Sequence, residues 1–429
     1  MSHLYMELYE EFKERILAGE LGADSKMPSI RKLSVEKGLS RTTVENAYFQ
    51  LAAEGYIISR PQSGYYVTPI AQVRQPGLPG TDEKAQRAEI RFDFASSGVD
   101  RQSFRFDLWQ RYIKSALRQD ERLLSYGDPQ GEPDLREVLC AYVKEHRNIY
   151  CTLDSIVVGA GVQSLLWILC PLLSGRKLVS FPTPDFLQGS TVFSDYGFSV
   201  HYRDKDCDVI YVSPAHMTRW GEVMTVERRL ELLAHSTRRG SLVIEDDIEH
   251  EFIYGEKPAP SLFSLSRAGN VVYIGSFSRL LLPSIRISFM ILPPALLALY
   301  KEKAARYNQT ASKAEQIALC QFIRDGHLAA QQRRLRRLYA QKQALFLEEL
   351  DQVFGAECSY KKGAAGTSIA LTVRSRISGE ELLKRAESQG LRFRLLDETE
   401  ETVTLILSFS GMDTRDHHEA LELLKSLLD

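Results

Sequence analysis

Gly38-Leu39-Ser40-Arg41-Thr42-Thr43-Val44-Glu45-Asn46-Ala47-Tyr48 is the stretch that decides how the N-terminal part of this chain folds. Gly38-Leu39-Ser40 reads as a tight turn, and Ser40 stands where a hydroxyl can cap the first free N–H groups of a helix running to about Gly55. Val44, Ala47, Tyr48 and Leu51 then fall on one helical face, so Thr42 and Asn46 must project from the other. Upstream, Tyr5, Leu8, Tyr9, Phe12 and Ile16 recur at helical spacing, and Gly19 and Gly22 close that helix. Pro28-Ser29 opens a helix between the two, with Ser29 as its cap. Downstream, the β-prone runs 56–60 and 65–68 are joined by Pro61-Gln62-Ser63-Gly64. Three helices followed by a hairpin make a winged helix-turn-helix.

Charge fits a nucleic-acid contact only locally. The whole chain of 429 residues has a formal net charge of -2, with 44% hydrophobic and 26% charged residues, the balance of a soluble globular protein. Between Lys26 and Arg60, however, Lys26, Arg31, Lys32, Lys37, Arg41 and Arg60 face only Glu36, Glu45 and Glu54. Arg41 lies at a helix start, where backbone N–H groups and the helix dipole favour phosphate. The six cysteines are scattered, with no C-x-x-C pair and no histidine at metal-ligand spacing, which fits reduced thiols in a cytoplasmic protein. No basic-then-apolar leader or membrane-length apolar run is evident, so neither secretion nor membrane insertion is expected.

Met27-Pro28-Ser29-Ile30-Arg31-Lys32-Leu33, Leu39-Ser40-Arg41-Thr42-Thr43-Val44, Glu54-Gly55-Tyr56-Ile57 and Arg60-Pro61-Gln62-Ser63-Gly64-Tyr65-Tyr66-Val67 resemble, in order and spacing, the DNA-binding domain of GntR-family regulators. The resemblance implies that Arg31, Ser40, Arg41, Thr42, Thr43 and Asn46 contact double-stranded operator DNA, with Gln62, Ser63 and Gly64 in the wing.

Residues 69–91 carry Pro69, Pro76, Gly77, Pro79 and Gly80 and then a charged stretch without apolar period, which reads as a linker. Beyond it, the β-branched runs 155–158, 177–180, 209–212, 241–244 and 271–274 alternate with helical patterns, the signature of an α/β body with a mostly parallel sheet. From about Leu328 a long helix leads into an α+β tail with strands near 367–371 and 404–407. The expected layout is therefore a head over 1–68, a linker over 69–91, a large domain over 92–327 and a small C-terminal subdomain over 328–429.

The motif order of this body resembles the fold-type-I, class I/II aminotransferases. Tyr126-Gly127-Asp128-Pro129-Gln130-Gly131 matches a helix-leading segment, and Gly159-Ala160-Gly161-Val162-Gln163-Ser164 the phosphate-binding turn. Glu245-Asp246-Asp247 falls where an aspartate pairs with the pyridine nitrogen of pyridoxal phosphate, a role the resemblance gives to Asp246. Ser276, Ser278 and Arg286 match phosphate ligands around the Schiff-base position. A GntR-type head, a linker and an aminotransferase-like body together resemble the MocR subgroup of GntR-family transcription regulators.

The sequence departs from that pattern at functional positions. Arg279 stands where the Schiff-base lysine is expected, and a guanidinium stays charged and is a poor nucleophile. Ile248 replaces a tyrosine that reaches the cofactor, and Ile406 falls where an arginine clamps a substrate carboxylate. Pro184 stands at the place of the ring-stacking aromatic, with Phe186 nearby as a substitute. The pocket set is thus Gly161, Val162, Gln163, Asp246, Ile248, Ser276, Ser278, Arg279 and Arg286, and no residue is assigned a catalytic or metal-binding role.

These departures point to a transcription regulator rather than an enzyme. Pyridoxal phosphate is expected only as a non-covalent ligand, without a covalent aldimine; alternatively Asp246 and Arg286 are structural partners in a site that takes another ligand or none. In that second case Arg279 is expected to pair with Asp246 or with a bound phosphate. The resemblance also implies a homodimer and a small-molecule effector. A transaminase or lyase with an appended head is the rival reading. His216 and the run Arg333-Arg334-Leu335-Arg336-Arg337 read as structural, the latter as a solvated or interdomain helix face.

Overall fold

The computed structural model describes residues 3–69, 89–96, 98–100, 102–254 and 259–428. The chain forms two compact units, Met1–Arg87 and Ala88–Asp429. Most of the stretch read as a linker, 70–88, lies outside the described residues.

In the first unit, α1 (His3–Leu17), α2 (Ile30–Lys37) and α3 (Arg41–Ala53) precede a hairpin of β1 (Ile57–Arg60) and β2 (Gly64–Val67). Ser29 accepts from the N–H of Lys32 and Ser40 from that of Thr43, so both helices begin at the hydroxyl caps read from the sequence. Val44, Ala47, Tyr48 and Leu51 are buried against Leu8, Phe12 and Ile16 of α1 in one apolar cluster. Arg60 lies over the Tyr66 ring, 4.3 Å from its centroid, and stiffens the wing.

The second unit opens with β3 (Phe92–Asp93). Seven strands follow and form one sheet: β4 (Ile156–Gly159), β5 (Leu178–Phe181), β6 (Ser199–Tyr202), β7 (Val209–Val212), β8 (Leu242–Asp246), β9 (Val271–Ser276) and β10 (Ser288–Ile291). Their order is β4-β10-β9-β8-β7-β5-β6. From β9 to β6 the neighbours are parallel, whereas β10 runs antiparallel to both β4 and β9. Such a sheet is covered by helices on both faces, which is why β4, β7, β8 and β10 are buried along their whole length. The strands missed in the sequence have simple causes: β6 is a largely exposed edge strand, and β10 is a four-residue run inside a loop-like stretch.

The long helix His327–Phe354 leads to a second sheet of β11 (Cys358–Lys361), β12 (Ser368–Arg374), β14 (Arg394–Glu398) and β15 (Thr402–Ser408), in the order β11-β12-β15-β14 and antiparallel throughout. The short β13 (Leu391–Arg392) pairs instead with β3, in parallel. The boundary at residue 92 therefore needs correction. Phe92 and Phe94 do not join the large sheet; they pack with Phe346, Leu391 and Phe409 in the core of the small subdomain. Two glycine-bearing loops also meet: Gly363 N–H donates to the Trp220 carbonyl at 2.7 Å and Ala365 N–H to the Gly221 carbonyl at 3.0 Å. A methyl group at Gly221, whose φ is +84°, would run into the Ala365 carbonyl, so only glycine lets the two backbones approach.

Candidate functional site

Each unit carries a candidate site. On the head, Arg31, Arg41, Thr42 and Asn46 are exposed, and among the described residues no hydrogen bond or ion pair holds either arginine. Ser40 and Thr43 differ: their hydroxyls lie 2.8 Å apart and are engaged at the α3 cap. Gln62 sits at the wing tip with φ +61°, beside Gly64 at φ +105°, and the Ser63 hydroxyl contacts that of Tyr66 at 2.7 Å. Exposed positive charge thus stands near the hydroxyl-capped starts of two helices on one small domain, an arrangement suited to phosphate.

In the body, the C-terminal ends of β8 and β9 and the turn after β4 supply most of the residues singled out in the sequence, at the position where open α/β sheets gather ligand-binding groups. Ser276 pairs in register with Ser288, which pairs in turn with Gly159, so one row across three strands ends at the phosphate-type turn. The Ser288 hydroxyl donates to Ser276 at 2.9 Å, and the Ser276 and Ser278 hydroxyls lie 3.0 Å apart. Gly161, at φ +89°, precedes the helix Val162–Leu169, which has no side-chain cap. The Arg286 guanidinium presses against Gly161 so closely that a Cβ there would overlap it. Backbone donors at an uncapped helix start, three hydroxyls and one guanidinium are groups of the kind that can hold a dianion. Gln163 turns outward, its amide reaching the Gln188 carbonyl at 3.4 Å.

Three consecutive acids at the end of β8 have different surroundings. Glu245 accepts from the N–H groups of Leu262 and Phe263 at 2.8 and 2.9 Å. Asp247 accepts from Arg147 at 2.8 Å and from the Tyr273 hydroxyl at 2.7 Å. Burial works against its charge, but Arg147, His250 and Tyr273 more than offset this and hold it below the usual carboxylate range. Asp246 points to the opposite face of the strand. Its Oδ2 accepts from the Tyr211 hydroxyl at 2.5 Å, while its buried Oδ1 has no partner among the described residues. Burial is the main cause that lifts Asp246 to about 6, with Asp247 adding to it and Tyr211 pulling back. An unpartnered buried carboxylate oxygen is the group that a protonated ring nitrogen would satisfy. The Phe186 ring packs 5.3 Å from that of Tyr211, next to this acid, whereas Pro184 is exposed. Ile248 is half-buried.

Arg279 does not pair with Asp246. Its guanidinium lies 2.8 Å from Glu249, whose side chain is only 1% exposed, and the same carboxylate lies 2.6 Å from Nδ1 of His216. Glu249 reaches both because its backbone is left-handed, at φ +65°, which turns the chain just beyond β8. Burial opposes the charge on Glu249, yet Arg279 and His216 outweigh it and hold the carboxyl down at about 2. For His216 burial likewise opposes charge, and Glu249 prevails and raises it above its ordinary value. A cavity of about 80 Å³ opens here, lined by His216, Arg219, Glu249, Arg279, Arg394 and Ile406 among others. Glu249 and Arg394 were not singled out in the sequence; a glutamate three residues beyond Asp246 carries no signal until its turn is known.

Three other clusters become visible in the fold. Cys140 and Cys151, far apart as a motif, bring their sulfurs to 3.7 Å. His201, Asp204 and Cys207 form a group whose ligand atoms all lie within 4.8 Å, an i, i+3, i+6 spacing not recognised in the sequence. The basic run near residue 335 faces its own body: Arg334 donates to the Gln102 carbonyl at 2.6 Å and Arg336 to that of Ile253 at 2.9 Å, around the buried Leu335.

Comparison with known proteins divides the chain in the same way. Residues 4–67 match the bacterial regulatory proteins of the gntR family, and residues 100–366 match aminotransferase class I and II. The HTH-type transcriptional regulator YdeL of Bacillus subtilis is 33% identical, covering 99% of this chain and 96% of that protein. The probable rhizopine catabolism regulatory protein MocR of Rhizobium meliloti is 28% identical over 99% of this chain and 93% of its own length. Among solved structures, an archaeal alanine:glyoxylate aminotransferase superposes with a TM-score of 0.70 at 19% identity, over 80% of this chain and 91% of that one. No helix among the described residues is long and apolar enough to cross a membrane.

Proposed function

The chain belongs to the MocR-like HTH-type transcriptional regulators of the gntR family, and from that premise we propose that its aminotransferase-like body is a dimerising, effector-sensing module without catalytic activity. The head binds double-stranded operator DNA, as a homodimer reading paired half-sites in the cytoplasm. Arg31, Arg41, Thr42 and Asn46, with Gln62 of the wing, are the residues free to meet DNA, while Ser40 and Thr43 set the start of α3.

The observation that carries this reading is the pairing of Arg279 with Glu249. In the place assigned to the attaching lysine stands a permanent cation already neutralised by a buried acid. It offers no free amine, so a cofactor here is held without a covalent bond. The remaining residues fit such a ligand. The backbone of Gly161, Val162 and Gln163 with Ser276, Ser278 and Arg286 would hold a phosphate, and Asp246 the ring nitrogen of pyridoxal phosphate. When bound, that cofactor supplies an electron sink for amino-acid chemistry. This chain's own groups then orient it, and the ion-paired Arg279 offers no amine to attack it.

The test is twofold. Genomic fragments selected by the purified protein should shift in a gel and compete against unrelated DNA, and the same protein should show no turnover of amino acids with added pyridoxal phosphate. Transamination at an appreciable rate would sink the non-enzymatic reading.

A further inference from the structure

The cleft beside Arg279 holds more guanidinium groups than it has acids to pair with. Arg279 is matched by Glu249, and Arg219 is matched by Asp185, which accepts from its Nε at 2.5 Å and from a second nitrogen. Arg394 lines the same cavity, and among the described residues neither a hydrogen bond nor an ion pair engages it. Its place follows from the register of the small sheet. Arg394 on β14 is the direct antiparallel partner of Ile406 on β15, and side chains of directly opposed residues project from the same face. Ile406 lines the cavity too. The guanidinium missing at 406 is thus present one strand away, aimed into the same space.

We propose that Arg394 is the carboxylate-recognition residue of this cleft, and that the effector is a small carboxylate bound in the cavity between Arg394 and the Arg279–Glu249 pair. The inference rests on the reading of the cleft as an effector site and adds the chemical class of its ligand. Three features favour a carboxylate. Arginine presents a planar fork that matches a carboxylate with two parallel hydrogen bonds. Ile406, opposite, gives the ligand an apolar wall instead of a second charge. The cavity, at about 80 Å³, has space for several water-sized groups, which suits a short acid. Arg219 and Arg279 each have an acid within ion-pair distance, whereas among the described residues Arg394 has none that close and feels the Asp185 charge only at longer range.

The experiment is calorimetric titration of the full chain with propionate, L-alanine and succinate, each beside its neutral amide, up to millimolar concentration. At least one acid should bind, with its amide tenfold or more weaker. Arg394→Ala should weaken that acid at least tenfold and Arg394→Lys by less, since it keeps the charge and loses the fork. Adding Ile406→Arg to Arg394→Ala should recover part of the affinity, because the two positions face each other; this rescue separates recognition from a folding defect. No binding by any acid, equal binding of acid and amide, or unchanged affinity in Arg394→Ala would each overturn the proposal. The regulator reading fails differently, through amino-acid turnover or loss of operator binding in the wild-type chain, so the two failures are distinguishable.

Discussion

The Arg279 guanidinium and the Glu249 carboxylate lie 2.8 Å apart, and Glu249 shares its buried charge with His216 at 2.6 Å. One acid therefore serves both the Arg279 guanidinium and the His216 imidazole beside a small cavity. Removing the acid leaves both groups without this partner.

Glu249→Gln should accordingly destabilise the body by about 1–3 kcal/mol, the usual cost of leaving a buried polar group unmatched. The figure is kept at that level because the Arg279 and His216 side chains are 23% and 30% exposed and water compensates in part. Urea unfolding followed by far-UV circular dichroism measures it.

The same pair sets a pH dependence. His216 has a raised folded-state value, so its contribution is fully present below its ordinary value near 6.5 and fades as pH rises through the higher folded value. The stability difference between the wild type and His216→Gln should therefore shrink as pH is raised above about 6.5. Glu249, held at about 2, stays charged throughout that window and does not confuse the result.

Asp246 has the opposite sign. Its folded value of about 6 exceeds the ordinary 3.8, so its ionisation is resisted by the fold and stability is lost as pH rises through 6. Asp246→Asn, which can still accept from Tyr211, should be more stable than the wild type at pH 8, by about 1–3 kcal/mol, and no more stable at pH 4. It should also bind pyridoxal phosphate more weakly, read by equilibrium dialysis.

Gly161→Ala should displace Arg286 from the phosphate cradle. The new methyl meets the far end of a flexible side chain, so the steric cost is small, and the positive φ adds about 1 kcal/mol of strain. Affinity for inorganic phosphate or pyridoxal phosphate should fall more than thermal stability does, which calorimetry and a melting curve separate.

Arg41→Ala should weaken operator binding and flatten the dependence of log affinity on log salt by about one unit, because a single phosphate contact is removed. Gel-shift titrations at several salt concentrations read both. Unchanged affinity would mean that α3 does not present its N-terminus to DNA.

Much of this was legible in the residues because it is local. Ser29 and Ser40 cap helices through bonds to residues three positions on, so their roles follow from the sequence alone. The parallel strands are continuous β-branched runs, and Asp246 stands at the end of one of them. What depends on distant pairing was hidden. Phe92 joins a strand almost three hundred residues away, so the linker's end looked like the start of the large domain. Glu249 depends on a left-handed turn that glutamate seldom adopts, and nothing in its neighbours announces it. Arg394 faces Ile406 through a register that shifts between Leu395 and Asp397, and a one-residue slip would send its side chain to the other face.

The central claim is that this body holds no cofactor covalently. Incubation with pyridoxal phosphate, reduction with borohydride and peptide mass spectrometry tests it most directly. The account predicts no phosphopyridoxyl-lysine peptide from the cleft and an unmodified peptide spanning Ser276 to Arg286. A reduced adduct on a lysine of the body, formed in proportion to one cofactor per chain, would contradict it.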